Sequence, residues 1–186
     1  MTENQKIVVI GANAAGLRAG ARAKRLLPNA SITVIDHGRY ISYGACGMPY
    51  VVSGDIEYAD ELRRTAYGVI REAGFLRSAK GLEVIIQTDV EKIDREAKKI
   101  ICKSLITGET SEYSYDKLVI ATGSNPIIIP GVPTGSKRIS TFKTFEDALA
   151  IQEAFQKGQI EKIGLIGAGP IGCELAEAAG AMWGAE

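Results

Sequence analysis

The sequence predicts an α/β fold with a parallel sheet, and three features support this prediction. Two short apolar runs rich in β-branched residues, "KIVVI" (6–10) and "SITVID" (31–36), flank a glycine-containing turn and an Ala-rich helical stretch. Such runs are typical of strands that are buried on both faces of a parallel sheet. A second glycine-rich turn follows another apolar run at residues 167–172. The chain is therefore expected to contain one βαβ unit and the beginning of a second.

Composition excludes several classes of protein. The 186 residues are 46% hydrophobic, and 22 Lys and Arg balance 22 Asp and Glu, so no charged surface for nucleic acid is indicated. No apolar run reaches the ~20 residues that span a bilayer, and the polar start "MTENQK" does not resemble a signal peptide. Three scattered cysteines are typical of a reducing compartment. We expect a soluble, cytoplasmic protein with neither nucleic-acid nor membrane partners.

The first glycine turn, "GANAAG" (11–16), lies where a βαβ unit binds dinucleotide phosphates. Gly11 permits the tight turn, Gly16 allows the helix to pack on the strand, and a pyrophosphate meets the helix N-terminus. Asp36 lies about twenty residues after Gly16, at the position where a carboxylate accepts hydrogen bonds from ribose hydroxyls. Asn13 stands at the central glycine of G-x-G-x-x-G. This turn alone therefore leaves open an α/β turn that binds no nucleotide.

The second turn, "GAGPIG" (167–172), keeps all three glycines and lies between an apolar run and a helix-forming run. The segment 161–186 is predicted to form a strand followed by a helix. A lone strand and helix cannot bury their apolar faces, so we expect the chain to continue beyond residue 186.

The remaining pattern predicts further elements of an α/β fold. A surface helix is predicted over 69–81 and an amphipathic helix over 145–158, each ending at a glycine. In the second helix, Ala148, Leu149, Ile151 and Phe155 are available for one apolar face. Strands are predicted over 82–94 and 98–104, and a further buried strand within 111–126 runs into a glycine-containing turn.

The loop "SYGACGMPY" (42–50) holds one cysteine, Cys46, between small residues. The following "GMPYVV" could begin a helix, whose N-terminus would favour the thiolate. The alternative is a buried structural cysteine, which is the commoner role of free cysteines. Cys102 and Cys173 are predicted to be core residues.

Arg18, Arg22 and Arg25 follow helical spacing after the first turn and share one face. This stripe is either an ordinary solvated face or a cationic groove for an anionic substrate. Neither a metal-ligand cluster nor a Ser-His-Asp arrangement is recognised, so we expect no metal.

Four motifs in order, "VVIGANAAG", "SYGACGMPY", "YDKLVIATGSNP" and "IGLIGAGPIGCELAE", resemble the flavin-dependent pyridine nucleotide–disulfide oxidoreductases. The closest likeness is to the single-cysteine branch, which includes coenzyme A-disulfide reductases, NADH oxidases and peroxidases, and persulfide reductases. The resemblance implies a Rossmann-like FAD-binding domain at 1–143 and the opening strand and helix of a Rossmann-like NAD(P)-binding domain at 144–186. It also implies a longer enzyme that forms a homodimer.

By this resemblance the first turn binds FAD and the second binds NADH or NADPH. The implied FAD-binding residues are Gly11, Ala14, Ala15, Gly16, Asp36, His37, Val90, Ala121, Thr122 and Gly123. The implied residues for the nicotinamide dinucleotide are Gly167, Gly169, Pro170, Ile171 and Gly172.

The resemblance also implies a catalytic role for Cys46. Many relatives carry C-x-x-x-x-C, but Val51 stands five positions after Cys46, which excludes an internal disulfide here. The thiol would instead cycle through a mixed disulfide or a sulfenic acid. The implied reaction is reduction of a small disulfide or persulfide by NAD(P)H. The alternatives are an NADH oxidase or peroxidase, with oxygen species as acceptor, and a non-catalytic FAD- or nucleotide-binding module.

In coenzyme A-disulfide reductases, positions that match the arginine stripe and Ser42 help to bind the nucleotide part of the substrate. This sequence departs from their pattern at Ala45, where an asparagine commonly precedes the cysteine.

Overall fold

The computed structural model describes residues 4–133, 136 and 138–185. The chain forms two compact units. The first unit combines the described residues of Met1–Tyr43 with Arg63–Gly123, and the second combines Gly44–Leu62 with those of Ser124–Glu186.

The described residues form these strands: β1 Lys6–Ile10, β2 Ser31–Ile35, β3 Glu83–Ile85, β4 Thr88–Asp94, β5 Lys99–Ser104, β6 Thr110–Ser114 and β7 Lys117–Ile120. They form these α-helices: α1 Ala14–Leu26, α2 Met48–Ser53, α3 Ala73–Lys80, α4 Phe145–Gln156 and α5 Pro170–Glu177. A π-helical turn, Ala178–Met182, continues α5. No helix among these residues is long and apolar enough to cross a membrane.

A four-stranded parallel sheet with the order β3-β2-β1-β7 forms the centre of the first unit. Strand β1 pairs in parallel with both β2 and β7. Successive side chains of β1 and β2 lie on opposite faces of the sheet, and side chains on both faces are buried. Val9 and Val34 are fully inaccessible. This arrangement explains the continuous apolar runs in the sequence and confirms the predicted α/β class.

The first unit also contains an antiparallel sheet with the order β4-β5-β6. Its side chains Ile100 and Cys102 form a buried cluster with Val8 and Ile35 of the parallel sheet. The antiparallel sheet therefore packs against the parallel sheet around Val8 and Ile35.

Helix α4 in the second unit confirms the amphipathic helix predicted over 145–158. It begins with a capping box, in which the Asp147 amide donates to Thr144 Oγ1 at 3.1 Å and the Thr144 amide donates to the Asp147 carboxylate at 2.8 Å. Phe145, Ala148 and Phe155 are buried, and Leu149 and Ile151, also predicted on this face, are half-buried.

Two predicted strands prove to be pairs of strands. The predicted strand 82–94 is interrupted at Gln87, whose φ of 49° is left-handed, so β3 and β4 belong to different sheets. The predicted buried strand within 111–126 divides into β6 and β7, again in different sheets. In addition, β7 is an edge strand whose Ile120 is 63% exposed, so the prediction of a buried strand is wrong here.

The helix predicted over 69–81 begins only at Ala73. Backbone groups of the residues before Ala73 form a turn with the preceding segment instead of a helix. The Thr65 amide donates to the Val69 carbonyl at 2.8 Å, and the Arg71 amide donates to the Arg63 carbonyl at 2.9 Å. The predicted end at Gly81 is confirmed, because Gly81 adopts a φ of 65° at the C-cap.

The strand predicted before the second glycine turn is not formed. Residues 162–168 are irregular, and Leu165 and Ile166 are 37% and 79% exposed. A strand requires a hydrogen-bonded partner, and the described residues supply none for this segment. The helix predicted after the turn is present as α5.

Candidate functional site

The two glycine turns share one backbone geometry. Gly11 and Gly167 begin the turns with φ values of 110° and 117°, which side-chain-bearing residues rarely adopt. Five residues later in each turn, a Cβ on Gly16 or Gly172 would overlap the carbonyl oxygen of the first glycine. Only glycine allows the helix to come this close to the start of the turn, so both turns have the shape of a dinucleotide-binding turn.

The helices that follow the turns leave their first amides without side-chain caps. Neither Asn13, the N-cap of α1, nor Gly169, the N-cap of α5, makes a side-chain cap hydrogen bond. The first turn of each helix also lacks an acidic residue. Uncapped amides at a helix N-terminus attract an anion, and a pyrophosphate fits this requirement.

Asp36 and Ala121 both contact the first turn. The Asp36 carboxylate accepts a hydrogen bond from the Ala12 amide, and its other oxygen accepts one from the Gly38 amide at 2.7 Å. A carboxylate has about four lone-pair sites, so it can accept further hydrogen bonds. A Cβ on Gly11 would overlap the Ala121 carbonyl oxygen, so the "ATG" segment lies directly against the turn.

Residues at the start of β4 lie beside the end of β2. The Thr88 amide donates to the Asp36 carbonyl at 3.0 Å, and His37 Nδ1 lies 3.1 Å from Asp89 Oδ1. Val90 follows directly and is half-buried in the antiparallel sheet, next to a β-bulge between Val90 and Lys92. The structure thus brings the first turn, Asp36, His37, Val90 and Ala121 to one edge of the first unit, and Thr122 and Gly123 continue from Ala121 as exposed backbone.

One buried polar atom at the first turn has no partner in the described structure: Asn13 Oδ1. Unsatisfied buried polar atoms are rare in native proteins and call for an explanation. The uncapped helix and the glycine cradle fit a turn that is completed by an anionic ligand, and the Asn13 oxygen is an acceptor that a donor group of such a ligand can satisfy.

Cys46 lies in the second unit, within a 3₁₀ turn, Ala45–Gly47, that leads directly into α2. It is exposed, which argues against the buried structural role. Leu62 holds this loop from one side: its carbonyl accepts a hydrogen bond from the Gly44 amide at 2.9 Å, and a Cβ on Gly47 would overlap its side chain. The sequence does not predict this role of Leu62, because a local motif contains no information about a contact between residues about fifteen or more positions apart.

The other two cysteines differ from each other. Cys102 is fully buried, as predicted, and burial raises the pKa of its thiol from 9.0 to about 11. Cys173 was predicted to be a core residue but is exposed on α5, with its Sγ 3.7 Å from the Ala168 carbonyl oxygen. That prediction is wrong because Leu175, Ala178 and Ala179 supply the buried face of this helical segment.

Arg18, Arg22 and Arg25 are all exposed on α1, and the described part of the chain gives none of them an ion-pair partner. Ser42 lies in the same unit. It adopts a φ of 56°, and its amide donates to the Ala12 carbonyl at 3.0 Å. A left-handed conformation at a residue other than glycine is a form of strain that occurs often at functional sites. The described residues contain no group of His, Cys, Asp and Glu that could hold a metal ion.

These features define a dinucleotide-binding oxidoreductase fold, and a family model confirms this class. Residues 5–186 match the family described as pyridine nucleotide-disulphide oxidoreductase, and the chain belongs to it.

Two curated relatives and one solved structure illustrate the likeness. The chain is 40% identical over 175 residues to an NADH oxidase from Lactococcus lactis, covering 94% of this chain and 37% of the relative. It is 33% identical over 180 residues to an NAD(P)H coenzyme A polysulfide/persulfide reductase from Pyrococcus horikoshii, covering 96% and 38%. The structure of a NAD-dependent persulfide reductase from A. fulgidus matches with a TM-score of 0.89 and 40% identity, covering 93% and 31%. The chain therefore spans only about a third of the length of these proteins, between 31% and 38%.

Proposed function

We propose that the whole protein is a flavoenzyme that uses NAD(P)H to reduce a small disulfide or persulfide through Cys46. The observation that carries the proposal is the exposed Cys46 thiol, without a second cysteine in C-x-x-x-x-C spacing, in a chain with two dinucleotide turns. The 33% identity to a coenzyme A polysulfide/persulfide reductase supports a sulfur substrate.

The first turn is proposed to hold FAD and the second to hold NADH or NADPH. The residues for FAD are the set around Gly11, Gly16, Asp36 and Ala121, with Ala14 and Ala15 exposed at the start of α1. Gly167, Gly169 and Gly172 form the second turn, with Pro170 and Ile171 between the last two. FAD held at the first turn would supply two-electron redox chemistry between NAD(P)H and sulfur.

Cys46 is proposed to carry the sulfur chemistry. Its thiolate attacks one sulfur of a disulfide, forms a mixed disulfide and releases the first thiol. An electron pair that originates from NAD(P)H then cleaves the mixed disulfide, which releases the second thiol and restores the thiolate. The sum is one NAD(P)H and one proton consumed for two thiols formed.

The arginine stripe on α1 is proposed to contribute charge to the binding of an anionic substrate, together with Ser42. The three guanidinium groups are exposed and without ion-pair partners among the described residues, so they are available to phosphate groups.

An NADH oxidase is the second candidate, and it is favoured by the 40% identity to the enzyme from L. lactis. In that case Cys46 would cycle as a sulfenic acid, with an oxygen species as the final electron acceptor. The two candidates share Cys46 and the residues proposed for the two cofactors, and they differ in the acceptor.

Product analysis of the purified whole protein tests the proposal. We expect a yellow protein that releases thiols from a disulfide, or sulfide from a persulfide, in proportion to the NAD(P)H oxidised without oxygen. Oxygen consumption without thiol release would favour the second candidate. A colourless protein that takes up no added FAD would contradict both.

A further inference from the structure

Helix α2, which directly follows Cys46, is only six residues long. Isolated helices shorter than ~12 residues are unstable in water, so contacts from elsewhere must fix this helix in place. Val51 and Val52 are fully buried, which means that the carbonyls at its carboxyl end need partners within the protein.

Each of the carbonyls of Tyr50, Val51 and Val52 accepts a hydrogen bond from a donor within the protein. The Tyr50 carbonyl accepts from the Ile56 amide at 2.9 Å, and the Val51 carbonyl accepts from the Gly54 amide at 3.1 Å. The Val52 carbonyl accepts a hydrogen bond from Trp183 Nε1 at 2.7 Å. The first two bonds are local, whereas the third comes from the helical segment that begins in the second glycine turn.

The π-helical turn explains why Trp183 reaches α2. Leu175, Ala178 and Ala179 form the buried face of this segment, and at about 3.6 residues per turn the next buried position is 182. A π turn inserts one extra residue. Met182 is accordingly 53% exposed, and Trp183 takes the inward position instead. π turns of this kind occur frequently at functional sites.

A second contact holds the indole in this position. Trp183 stacks on Phe155 of α4 with ring centroids 5.5 Å apart and an interplanar angle of 9°. Phe155 is itself buried at 4% exposure. The indole is therefore fixed by packing on one side and by its hydrogen bond to α2 on the other.

We propose that Trp183 is a positioning residue for Cys46, which acts by fixing α2 at its carboxyl end through the Nε1 hydrogen bond. The inference rests on the proposed function, since it assigns Trp183 a role in presenting the reactive thiol. It also gives one helical segment two tasks: its N-terminus forms the second dinucleotide turn, and Trp183 holds the helix that follows Cys46.

The test compares Trp183→Phe, Trp183→Ala and Met182→Ala in the whole protein. Trp183→Phe keeps the stack on Phe155 and removes only the donor, and Met182→Ala removes an exposed side chain from the same π turn. The rate of alkylation of Cys46 by iodoacetamide is measured over about pH 5 to 9, and the modified residue is identified by peptide mass mapping. Flavin content and melting temperature are measured on the same samples.

For Trp183→Phe we expect alkylation at neutral pH to change by at least ~3-fold, the effect of losing one hydrogen bond. The pH profile is expected to move while flavin content and melting temperature stay close to wild type. Met182→Ala should match wild type in every measurement. A profile that is unchanged in Trp183→Phe, whatever happens to the melting temperature, would overturn the proposal, as would an equal change in Met182→Ala.

The alkylation rate does not depend on turnover, so the two proposals fail separately. If Cys46→Ser keeps full turnover, the proposed function is wrong. If that variant is inactive and the Trp183→Phe profile equals wild type, only the role of Trp183 is wrong. If Trp183→Ala does not fold, Trp183→Phe decides the question.

Discussion

At the scale of single residues, the first dinucleotide turn depends on the absence of a Cβ at Gly16. We expect Gly16→Ala to lose most of the bound FAD and about 1–3 kcal/mol of stability, because the new methyl group overlaps the Gly11 carbonyl oxygen. The measurement is the flavin-to-protein absorbance ratio of the whole protein, with denaturant titration for stability.

Gly74 provides the matched control for this substitution. It also lies in a helix, but a Cβ there has no atom within 4 Å. Gly74→Ala should keep all the flavin and gain up to about 1 kcal/mol of helix stability. Equal flavin loss in both variants, or full retention in Gly16→Ala, would show that this close approach does not form the site.

A second prediction for single residues concerns the arginine stripe and substrate binding. If the stripe binds an anionic substrate as proposed, Arg22→Ala removes one of its exposed charges and should raise KM for coenzyme A disulfide by about 2- to 5-fold. The effect should be smaller in high salt and absent for an uncharged small disulfide.

Arg95→Ala is the charge-matched control, since Arg95 is exposed in the turn between β4 and β5. It should leave both KM values unchanged. If Arg22→Ala affects the two disulfides equally, the stripe is a solvated face and binds no substrate.

Local sequence could predict the residues of the turns, and it could not predict the residues that support them. The positive φ of Gly11 and Gly167 follows from motif spacing alone. The positions of Leu62 and Trp183 depend on contacts between different segments of the chain, and the Trp183 hydrogen bond joins residues 131 positions apart. No periodicity within a segment reports such contacts.

At the scale of elements, Cys102 couples the packing of the antiparallel sheet to pH. Its folded pKa is about 11 and its reference value is 9.0, so between these values the unfolded thiol loses a proton that the folded one keeps. The contribution of the protonated Cys102 thiol to the free energy of unfolding is therefore complete below about pH 9 and is lost as the pH rises to about 11. This contribution amounts to about 2–3 kcal/mol.

Denaturant titrations of wild type and Cys102→Ala across this range measure the difference. We expect the free energy of unfolding to fall less steeply with pH in Cys102→Ala. Cys173→Ala removes an exposed thiol and should keep the wild-type slope. Identical slopes in all three proteins would contradict the account of Cys102 burial.

The hydrophobic pattern predicted most of the regular segments, but it failed to predict which sheet each strand joins and which apolar segment finds no partner among the described residues. Gln87 is an ordinary strand residue by composition, but its left-handed conformation transfers the chain from one sheet to the other. Residues 162–166 have a strand pattern, but strand formation also requires a partner. Pairing is a property of the assembled fold, which explains both errors.

At the scale of the whole molecule, the order of four motifs predicted the family, and the match over residues 5–186 confirms it. A single G-x-G-x-x-G turn is weak support for any function, whereas two such turns with a cysteine loop between them are specific. The acceptor is a property of the whole enzyme, since relatives that share this region include an NADH oxidase and a persulfide reductase.

Rapid mixing of Cys46→Ser in the absence of oxygen tests the central claim most directly. Serine keeps the size of the side chain, but its hydroxyl cannot form a mixed disulfide. NAD(P)H should still bleach the flavin of the whole protein at close to the wild-type rate. Reoxidation by a disulfide or persulfide should slow by at least ~10³-fold, about 4 kcal/mol in the barrier, and Cys102→Ala should resemble wild type. If Cys46→Ser is reoxidised at the wild-type rate, Cys46 does not carry electrons and the proposed mechanism is wrong.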